Sequence, residues 1–445
     1  MRKALRLLII VLLFLVVIAL AFIRPLDQQP YREKIYYQKT LAALDSLKEN
    51  LSAVEGDTIR AGWSQCNITP AQKLHLMGYG WKGDYESVHD SLMLRCFVFD
   101  DGRQKVALLS YDLMIVHPDL SAAIRQAADS AKLEVDGLYF TAVHTHKGYG
   151  EWARGLGGWL TAGGYNPELV SFVVKQTLAA IREADKSRQK IQIGYAAFSQ
   201  PDLLRNRLTK GPADDDLLRV LKLEKEDGQT ALLCTFAAHA TMINSRSMQL
   251  SADYPSSLVK VLEAHPEVDF AAYAAGAVGS HSPYREGDFS YQQMDEYATR
   301  LASPLLDSLN NIRTSYSQKL IYTSLPLHLG EAQLKIAESW RVSPWLFEAF
   351  FGKLQPQLSG LRLGDVVLMG VPADYSGMLY GDLDAHDLPL MVTSFNGNYI
   401  GYIIPDEYYN LPHREARELN WFGPYTGNYV TEMMNLLLAV LAKKA

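Results

Sequence analysis

Side chains that can bind a metal ion follow apolar, strand-like segments at four places in the sequence. In chain order, these residues are His144, His146, His239, Asp374, Tyr399 and Tyr402. Since residues i and i+2 of a strand point to the same face, His144 and His146 can reach one site. Imidazole and carboxylate ligands suit zinc, and zinc at an open site lowers the pKa of water towards neutrality. The pattern indicates a hydrolytic zinc site and leaves open a structural role for an isolated histidine such as His239.

A second polar segment follows an apolar run and carries hydroxyl and imidazole groups at positions 279–284. Ser280 or Ser282 next to His281 is the composition of a nucleophile loop. The same residues also suit a loop that holds substrate through amides and hydroxyls, or an ordinary turn. The segment does not match the G-x-S-x-G nucleophile elbow, because the second glycine is missing.

Short apolar runs and amphipathic stretches alternate from about residue 58 onward, and they must position these side chains. Two pairs of strands joined at Asp227-Gly228 and Gly364-Asp365 read as hairpins. Hairpins mixed with strand–helix units predict an α/β fold with mixed β-sheets flanked by helices. The predicted strands are 106–112, 137–146, 217–224, 230–238, 361–363, 366–371 and 390–395, and the predicted helices are 118–132, 168–184 and 428–443.

The N-terminus has the pattern of a transmembrane anchor. An uncharged apolar run over residues 7–23 is about the minimum that crosses a hydrocarbon core, and basic residues precede it. The basic flank predicts a cytoplasmic N-terminus and an exported chain, periplasmic or extracellular. Cleavage as a signal peptide near Ala19-Leu20-Ala21 is the alternative, and it also exports the protein. We expect an anchor over 1–25, a helical stalk over 26–56 and one hydrolase domain over 57–445.

Composition excludes several classes of function. The formal charge of −6 and the absence of a basic stripe argue against nucleic-acid binding. The three cysteines are scattered and match no zinc-finger spacing. The oligomeric state is not readable from the sequence.

The order of the motifs resembles that of the neutral, non-lysosomal ceramidases over most of the chain past residue 56. Each motif is short, but their shared order is specific. The matching segments are Asn67-Ile-Thr-Pro70, Tyr111-Asp112, His144-Thr-His-Lys-Gly148, Asn206-Arg207, Ala238-His239, Gly279-Ser-His-Ser-Pro-Tyr284, Gly370-Val-Pro-Ala-Asp374, Asn398-Tyr-Ile-Gly-Tyr402 and Phe422-Gly-Pro424.

This resemblance implies a zinc-dependent amidase that cleaves the N-acyl bond of ceramide or a related N-acyl lipid. It implies that the zinc ligands are His144, His239, Asp374 and Tyr402. His146 would be a proton carrier or an alternative ligand. The resemblance further implies catalytic roles for Arg207 and Ser282, and substrate contacts for Asn206 and Arg414.

Several positions depart from the family pattern. Asp374 stands where the family has glutamate, Lys147 replaces a serine, and Ser280-His281 replaces Asp-Val. Arg414 stands in place of a tyrosine, so it either favours anionic substrates or pairs at the surface with Glu415 or Glu418. We expect no counterpart of the family's C-terminal β-sandwich. A serine esterase acting through Ser282 and an inactive lipid- or glycan-binding relative therefore stay open as alternatives.

An aromatic-rich segment over residues 340–351 has two interpretations. Its tryptophans and phenylalanines can belong to a buried core helix. They can also lie at a membrane interface or line an acyl pocket.

Overall fold

A computed structural model describes residues 2–50, 56–80, 82–211 and 213–443 of the chain. The α-helices are α1 Arg2–Phe22, α2 Ile35–Asn50, α3 Pro118–Ser130, α4 Gly155–Ala162, α5 Pro167–Lys186, α6 Tyr254–Glu263, α7 Tyr291–Ser308, α8 Pro344–Phe351, α9 Arg414–Arg417 and α10 Thr426–Ala442.

The strands are short, as is usual for a mixed α/β protein. They are β1 Ile23–Pro25, β2 Arg60–Asn67, β3 Leu76–Met77, β4 Ser87–Val88, β5 Met93–Asp100, β6 Lys105–Tyr111, β7 Gly137–Ala142, β8 Gly148–Tyr149, β9 Gln189–Ser199, β10 Leu204–Asn206, β11 Leu217–Lys225, β12 Thr230–Phe236, β13 Gln249–Leu250, β14 Phe270–Ala275, β15 His281–Pro283, β16 Thr314–Tyr316, β17 Leu320–Pro326, β18 Lys335–Ala337, β19 Trp340–Val342, β20 Gln357–Leu363, β21 Val366–Val371, β22 Asp374–Tyr375, β23 Leu390–Ser394 and β24 Tyr402–Ile403.

Two mixed sheets pack face to face between two layers of helices. The large sheet has the order β14-β12-β11-β9-β2-β5-β6-β7, and the small sheet has the order β17-β20-β21-β23. Successive side chains of a strand point to opposite faces. In β5, Cys96 and Val98 face the helices α3, α5, α6 and α7, whereas Phe97 and Phe99 face the small sheet. Helices α2 and α10 cover the outer face of the small sheet. The predicted α/β fold with mixed sheets is confirmed.

Three parallel strand pairs set the position of the functional site. They are β6 with β7, β12 with β14, and β21 with β23. The hydroxyls of Tyr139 on β7 and Thr393 on β23 lie 2.6 Å apart, and the Thr141 hydroxyl donates to the Ser394 carbonyl at 3.1 Å. These bonds align the carboxyl ends of strands from both sheets along one edge of the sandwich.

The predicted stalk contains α2, which packs on the domain. Leu44 is buried in the core under the small sheet, and the Thr40 and Tyr429 hydroxyls lie 2.8 Å apart. Residues 51–55 of the predicted stalk lie outside the described residues. The stalk boundary at residue 56 stays a prediction.

The predicted N-terminal helix is α1, and it leads directly into β1. Over the residues that the structure describes, no helix is both long and apolar enough to span a membrane. The side chains at positions 2, 8, 12 and 15–20 are outside that description. The transmembrane anchor stays a prediction.

Candidate metal centre

The predicted metal ligands meet where strands of both sheets end. His144 and His146 follow β7, and His239 follows β12 of the same sheet. Asp374 forms β22 after the end of β21 in the small sheet, and it pairs with Tyr402 of β24. Ring nitrogens of the three histidines lie within 4.8 Å of one another. Five residues that are separated by up to 258 positions in the sequence thus surround one small volume.

Two of the histidines are held in one tautomer by backbone carbonyls. His144 Nδ1 lies 2.8 Å from the Met114 carbonyl oxygen, and His239 Nδ1 lies 2.7 Å from that of Val278. A carbonyl oxygen only accepts, so each Nδ1 carries the hydrogen and donates it. Each Nε2 therefore presents a lone pair to the interior of the cluster, as happens in metal sites where a carbonyl accepts from the other ring nitrogen of a histidine ligand.

The carboxylate of Asp374 faces those same two lone pairs. Its Oδ1 lies 3.1 Å from His144 Nε2 and 3.3 Å from His239 Nε2, and all three side chains are fully buried. Asp374 Oδ1 has no hydrogen-bond partner among the described residues. Three acceptor atoms thus converge, and the carboxylate oxygen among them has no donor, an arrangement that costs free energy unless a cation lies there. The residues present fit a bound metal ion.

Two tyrosines complete the surroundings of Asp374. The Tyr402 hydroxyl lies 2.9 Å from His239 Nε2, and the Tyr399 hydroxyl donates to Asp374 Oδ2 at 2.7 Å. Burial, and then the Asp374 carboxylate, raise the pKa of both phenols. The Tyr402 hydroxyl, next to His239 Nε2, is the oxygen placed to serve as a further ligand. The Tyr399 hydroxyl orients the Asp374 carboxylate. The sequence named Tyr399 beside Tyr402 but gave it no role of its own, since its contact depends on the parallel pairing of β22 and β24.

His146 lies against the cluster but is held differently. Its Nε2 is 3.3 Å from His144 Nε2, and its ring packs on Tyr79 with 5.1 Å between the ring centroids. Burial, followed by the neighbouring His144 and Arg207, lowers the pKa of His146 well below its usual value. The imidazole is thus held neutral, and it is close enough to act as a proton carrier or as an alternative ligand.

Backbone strain marks the two strand ends that carry the site. His144 and Phe395 have φ values of +65° and +67°, in the left-handed region that non-glycine residues rarely adopt. Their rings stack with centroids 4.3 Å apart and an interplanar angle of 10°. Strained residues persist where the surroundings hold them, and such residues concentrate at functional sites.

Arg207 reaches the cluster over the ring of Tyr402. Its guanidinium carbon lies 5.8 Å from that ring's centroid, and Nη2 donates to the Gly279 carbonyl at 3.1 Å. Nη1 lies 3.4 Å from a Glu415 carboxylate oxygen. Arg207 Nε is buried and has no hydrogen-bond partner among the described residues. This nitrogen is a donor available to an oxygen of a substrate. Glu415 was missed from the sequence, where it was named only as a surface partner of Arg414.

The polar segment at positions 279–284, called the serine loop below, does not have the geometry of a serine nucleophile activated by histidine. Ser282 Oγ accepts a hydrogen bond from Arg205 Nε at 2.9 Å. His281 Nε2 accepts the backbone N–H of Asp214 at 3.1 Å, so His281 Nδ1 carries the hydrogen. That Nδ1 lies 3.3 Å from Ser280 Oγ and donates to it, so His281 cannot remove the Ser280 proton. Burial also lowers the pKa of His281 to about 4. The arrangement disfavours the serine esterase.

The two predicted substrate-binding residues lie outside the histidine group. Asn206 Oδ1 accepts the backbone N–H groups of Leu208 and Thr209, and its Nδ2 donates to Asp214 at 2.9 Å. Asn206 therefore shapes the loop beside Arg207. Arg414 is 74% exposed and bonds Glu418 at 3.0 Å, which is the surface pairing that the sequence left open. Its role in substrate binding stays a prediction that this placement does not support.

Lys147, which replaces the family's serine, is fully buried behind the site. Its Nζ donates to the Ser247 carbonyl at 2.6 Å and lies 4.7 Å from the centroid of the Tyr79 ring. The lysine thus holds the loop that follows His146 against a neighbouring segment. Its presence is compatible with the histidine geometry described above.

Comparison with known proteins agrees with this geometry. The family model described as neutral/alkaline non-lysosomal ceramidase, N-terminal, matches residues 60–299, which is more than half of the chain. The chain belongs to this ceramidase family. The matched range carries His144, His146, His239 and the serine loop, whereas Asp374 and Tyr402 lie beyond it.

Two solved ceramidase structures share the fold. The neutral ceramidase of Pseudomonas aeruginosa superposes with a TM-score of 0.75 at 16% identity, covering 86% of this chain and 74% of that one. A ceramidase complexed with C2 gives a TM-score of 0.74 at 16% identity, covering 86% and 75%. At this identity the likeness establishes the fold of the ceramidase family in this chain.

The first prediction concerns metal content. We expect the His239→Ala variant to lose the bound metal, because it removes one of two locked Nε2 ligands. Elemental analysis after dialysis should give about one zinc per chain in the wild-type protein and in a His328→Ala control, whose imidazole is exposed. Equal zinc in all three proteins, or none in any of them, would contradict the assignment.

The second prediction concerns the orientation of Asp374. Tyr399→Phe removes the donor to Oδ2 but keeps the ring, and we expect zinc affinity to fall by roughly 10- to 100-fold. Competition with a chromophoric chelator measures the affinity directly. Tyr316→Phe, at a phenol that is 52% exposed, is the matched control and should bind zinc as the wild type does. An unchanged affinity in Tyr399→Phe would remove Tyr399 from the metal site.

Proposed function

We propose that this protein is a zinc-dependent amidase that hydrolyses the N-acyl amide bond of ceramide or a related N-acyl lipid. The products would be a sphingoid base and a fatty acid. The observation that carries the proposal is the buried Asp374 Oδ1, which has no donor and faces the Nε2 atoms of His144 and His239, in a chain of the ceramidase family.

The proposed ligands are His144, His239, Asp374 and Tyr402, all on strand ends of the same edge. A zinc ion bound there would polarise the amide carbonyl and lower the pKa of water. Nitrogen and oxygen ligands without thiolates suit zinc, although Asp374 is one methylene shorter than the family's glutamate. The two backbone carbonyls that orient the Nε2 lone pairs of His144 and His239 inward support the choice of these two histidines as ligands.

The remaining residues would handle the proton and the charge. His146 lies against the ligand cluster, where its imidazole can carry a proton between the nucleophile and the leaving amine. Arg207 offers its free Nε to the oxygen on which negative charge develops. Glu415 holds the guanidinium from the opposite side, and the hydroxyl of Ser282 would orient the substrate amide.

The third prediction is turnover that depends on metal. Purified protein should release fatty acid from a ceramide with a labelled acyl chain, lose activity on chelation and regain it with zinc. Arg207→Ala should lower kcat/KM by roughly 100-fold, because it removes a donor to the developing oxyanion, whereas the exposed Arg414→Ala should not.

Each failure has a separate meaning for this proposal. Full activity after exhaustive chelation would exclude the metal mechanism and support the serine esterase instead. Zinc-loaded protein that cleaves no N-acyl lipid in a panel of such substrates would indicate a binding protein that keeps the fold.

We further propose that the chain is anchored by α1 and that its catalytic domain is exported. The basic residues before the apolar run support this orientation. The fourth prediction is that a C-terminal reporter active only in the cytoplasm gives no signal, whereas a reporter active only after export does. A strong cytoplasmic signal would reverse the topology.

A further inference from the structure

A group of large apolar side chains is exposed on the short helices α4 and α8, on strand β19 and at the end of helix α1. This group, the aromatic face, contains Phe22, Leu156, Trp159, Leu160, Trp340 and Trp345, each between 41% and 52% exposed. Three of the six are tryptophan, the side chain that membrane proteins enrich at the level of the lipid headgroups. Contiguous exposed apolar surface of this kind marks an interaction site rather than ordinary surface.

The two short helices of the aromatic face, α4 and α8, pack closely on each other and fix its shape. A Cβ atom added at Gly157 of α4 would lie 2.5 Å from the Phe350 carbonyl oxygen of α8, so only glycine permits this approach. Leu156, Trp159 and Leu160 of α4 point outward beside it. On α8, Phe347 is buried while Trp345 is 49% exposed, so the helix divides its aromatic residues between core and surface.

The aromatic face is continuous with the apolar N-terminal helix. Trp345 Nε1 donates to the Ala21 carbonyl at 2.8 Å, and its ring lies 5.4 Å from that of Phe22 at the end of α1. The next three residues form β1, which pairs antiparallel with β19, the strand of Trp340. The chain that follows α1 is therefore hydrogen-bonded to the strand that carries Trp340 and does not form a free linker.

A line of aromatic contacts joins this surface to the metal centre. Phe347 and Phe351 of α8 lie 5.5 Å and 5.2 Å from Trp421, measured between ring centroids. Trp421 lies 5.3 Å from Tyr399, whose hydroxyl donates to Asp374. Three successive layers of rings thus connect the face to the candidate ligand Asp374.

We propose that the aromatic face seats in the headgroup region of the lipid bilayer that holds α1, and that the metal centre is thereby presented to lipids of that bilayer. The continuity with an apolar helix selects a bilayer over a second copy of the chain or an apolar peptide. Docking rests on the anchor proposed for α1 and is independent of the reaction, while the presentation of substrate rests on the proposed amidase function.

Docking can be measured without enzyme activity. The full chain, with Cys66→Ser in place, is labelled with an environment-sensitive fluorophore at Trp159→Cys or, as the control, at Tyr316→Cys. The other two cysteines are buried, and Tyr316 is as exposed as Trp159, at 52%. In phosphatidylcholine nanodiscs, the probe at 159 should shift to the blue and lose about half of its emission to spin-labelled lipid, and the probe at 316 should do neither.

Water-like, unquenched emission at both positions would overturn docking. The same blue shift in lipid-free detergent at concentrations where the protein self-associates, without quenching in nanodiscs, would assign the face to a second copy and also overturn it.

Presentation of substrate is tested by comparing two forms of one lipid. Trp159→Ser combined with Leu160→Ser should lower turnover of an N-acyl lipid in vesicles about tenfold relative to the wild type, because apolar contact with the bilayer is lost. Turnover of the same lipid in detergent micelles should stay unchanged, as should both rates in Tyr316→Ser. An equal loss in vesicles and micelles would contradict presentation, and no turnover in any form would contradict the proposed function while leaving the fluorescence result intact.

Discussion

The Asp374 carboxylate oxygen, buried without a donor between two imidazole lone pairs, is the constraint on which this structure depends. Asp374 Oδ1 lies 3.1 Å and 3.3 Å from the Nε2 atoms of His144 and His239, and the backbone bonds at each Nδ1 prevent either ring from turning a hydrogen inward. Burying such a group without a partner is costly. A cation removes that cost, so metal binding and the stability of this edge of the sandwich are expected to be coupled.

The packing of the two sheets brings distant segments of the chain together at this edge. The parallel pairs β6–β7, β12–β14 and β21–β23 all end there, as ligand-binding loops of parallel strands commonly do. Hydrogen bonds between β7 and β23 keep the sheets in register. His144 and Phe395, which stack and have positive φ values, lie where the two sheets meet. Their strained backbone is held in place by the packing around the site.

Local pattern predicted some of the elements and part of the site, but not the strands β5 and β9 or the helices α6 and α7. Hairpins at Asp227-Gly228 and Gly364-Asp365 and the helices after β6 and before β9 follow from turn chemistry and periodicity, and the structure has them. The ligand set came from the order of family motifs. The roles of Tyr399 and Glu415 were not predicted, because their contacts depend on which strands pair and how α9 packs. Arg414 is exposed, whereas the next residue, Glu415, faces the site. The sequence does not show that these neighbours lie on opposite faces of α9.

The most direct test of this account is an anomalous difference map from crystals of the purified protein, recorded on both sides of the zinc absorption edge. The account predicts a single peak, present only above the edge, enclosed by His144, His239, Asp374 and Tyr402. A protein that is fully active in the same crystals but shows no peak there, or shows its peak elsewhere in the molecule, would contradict it.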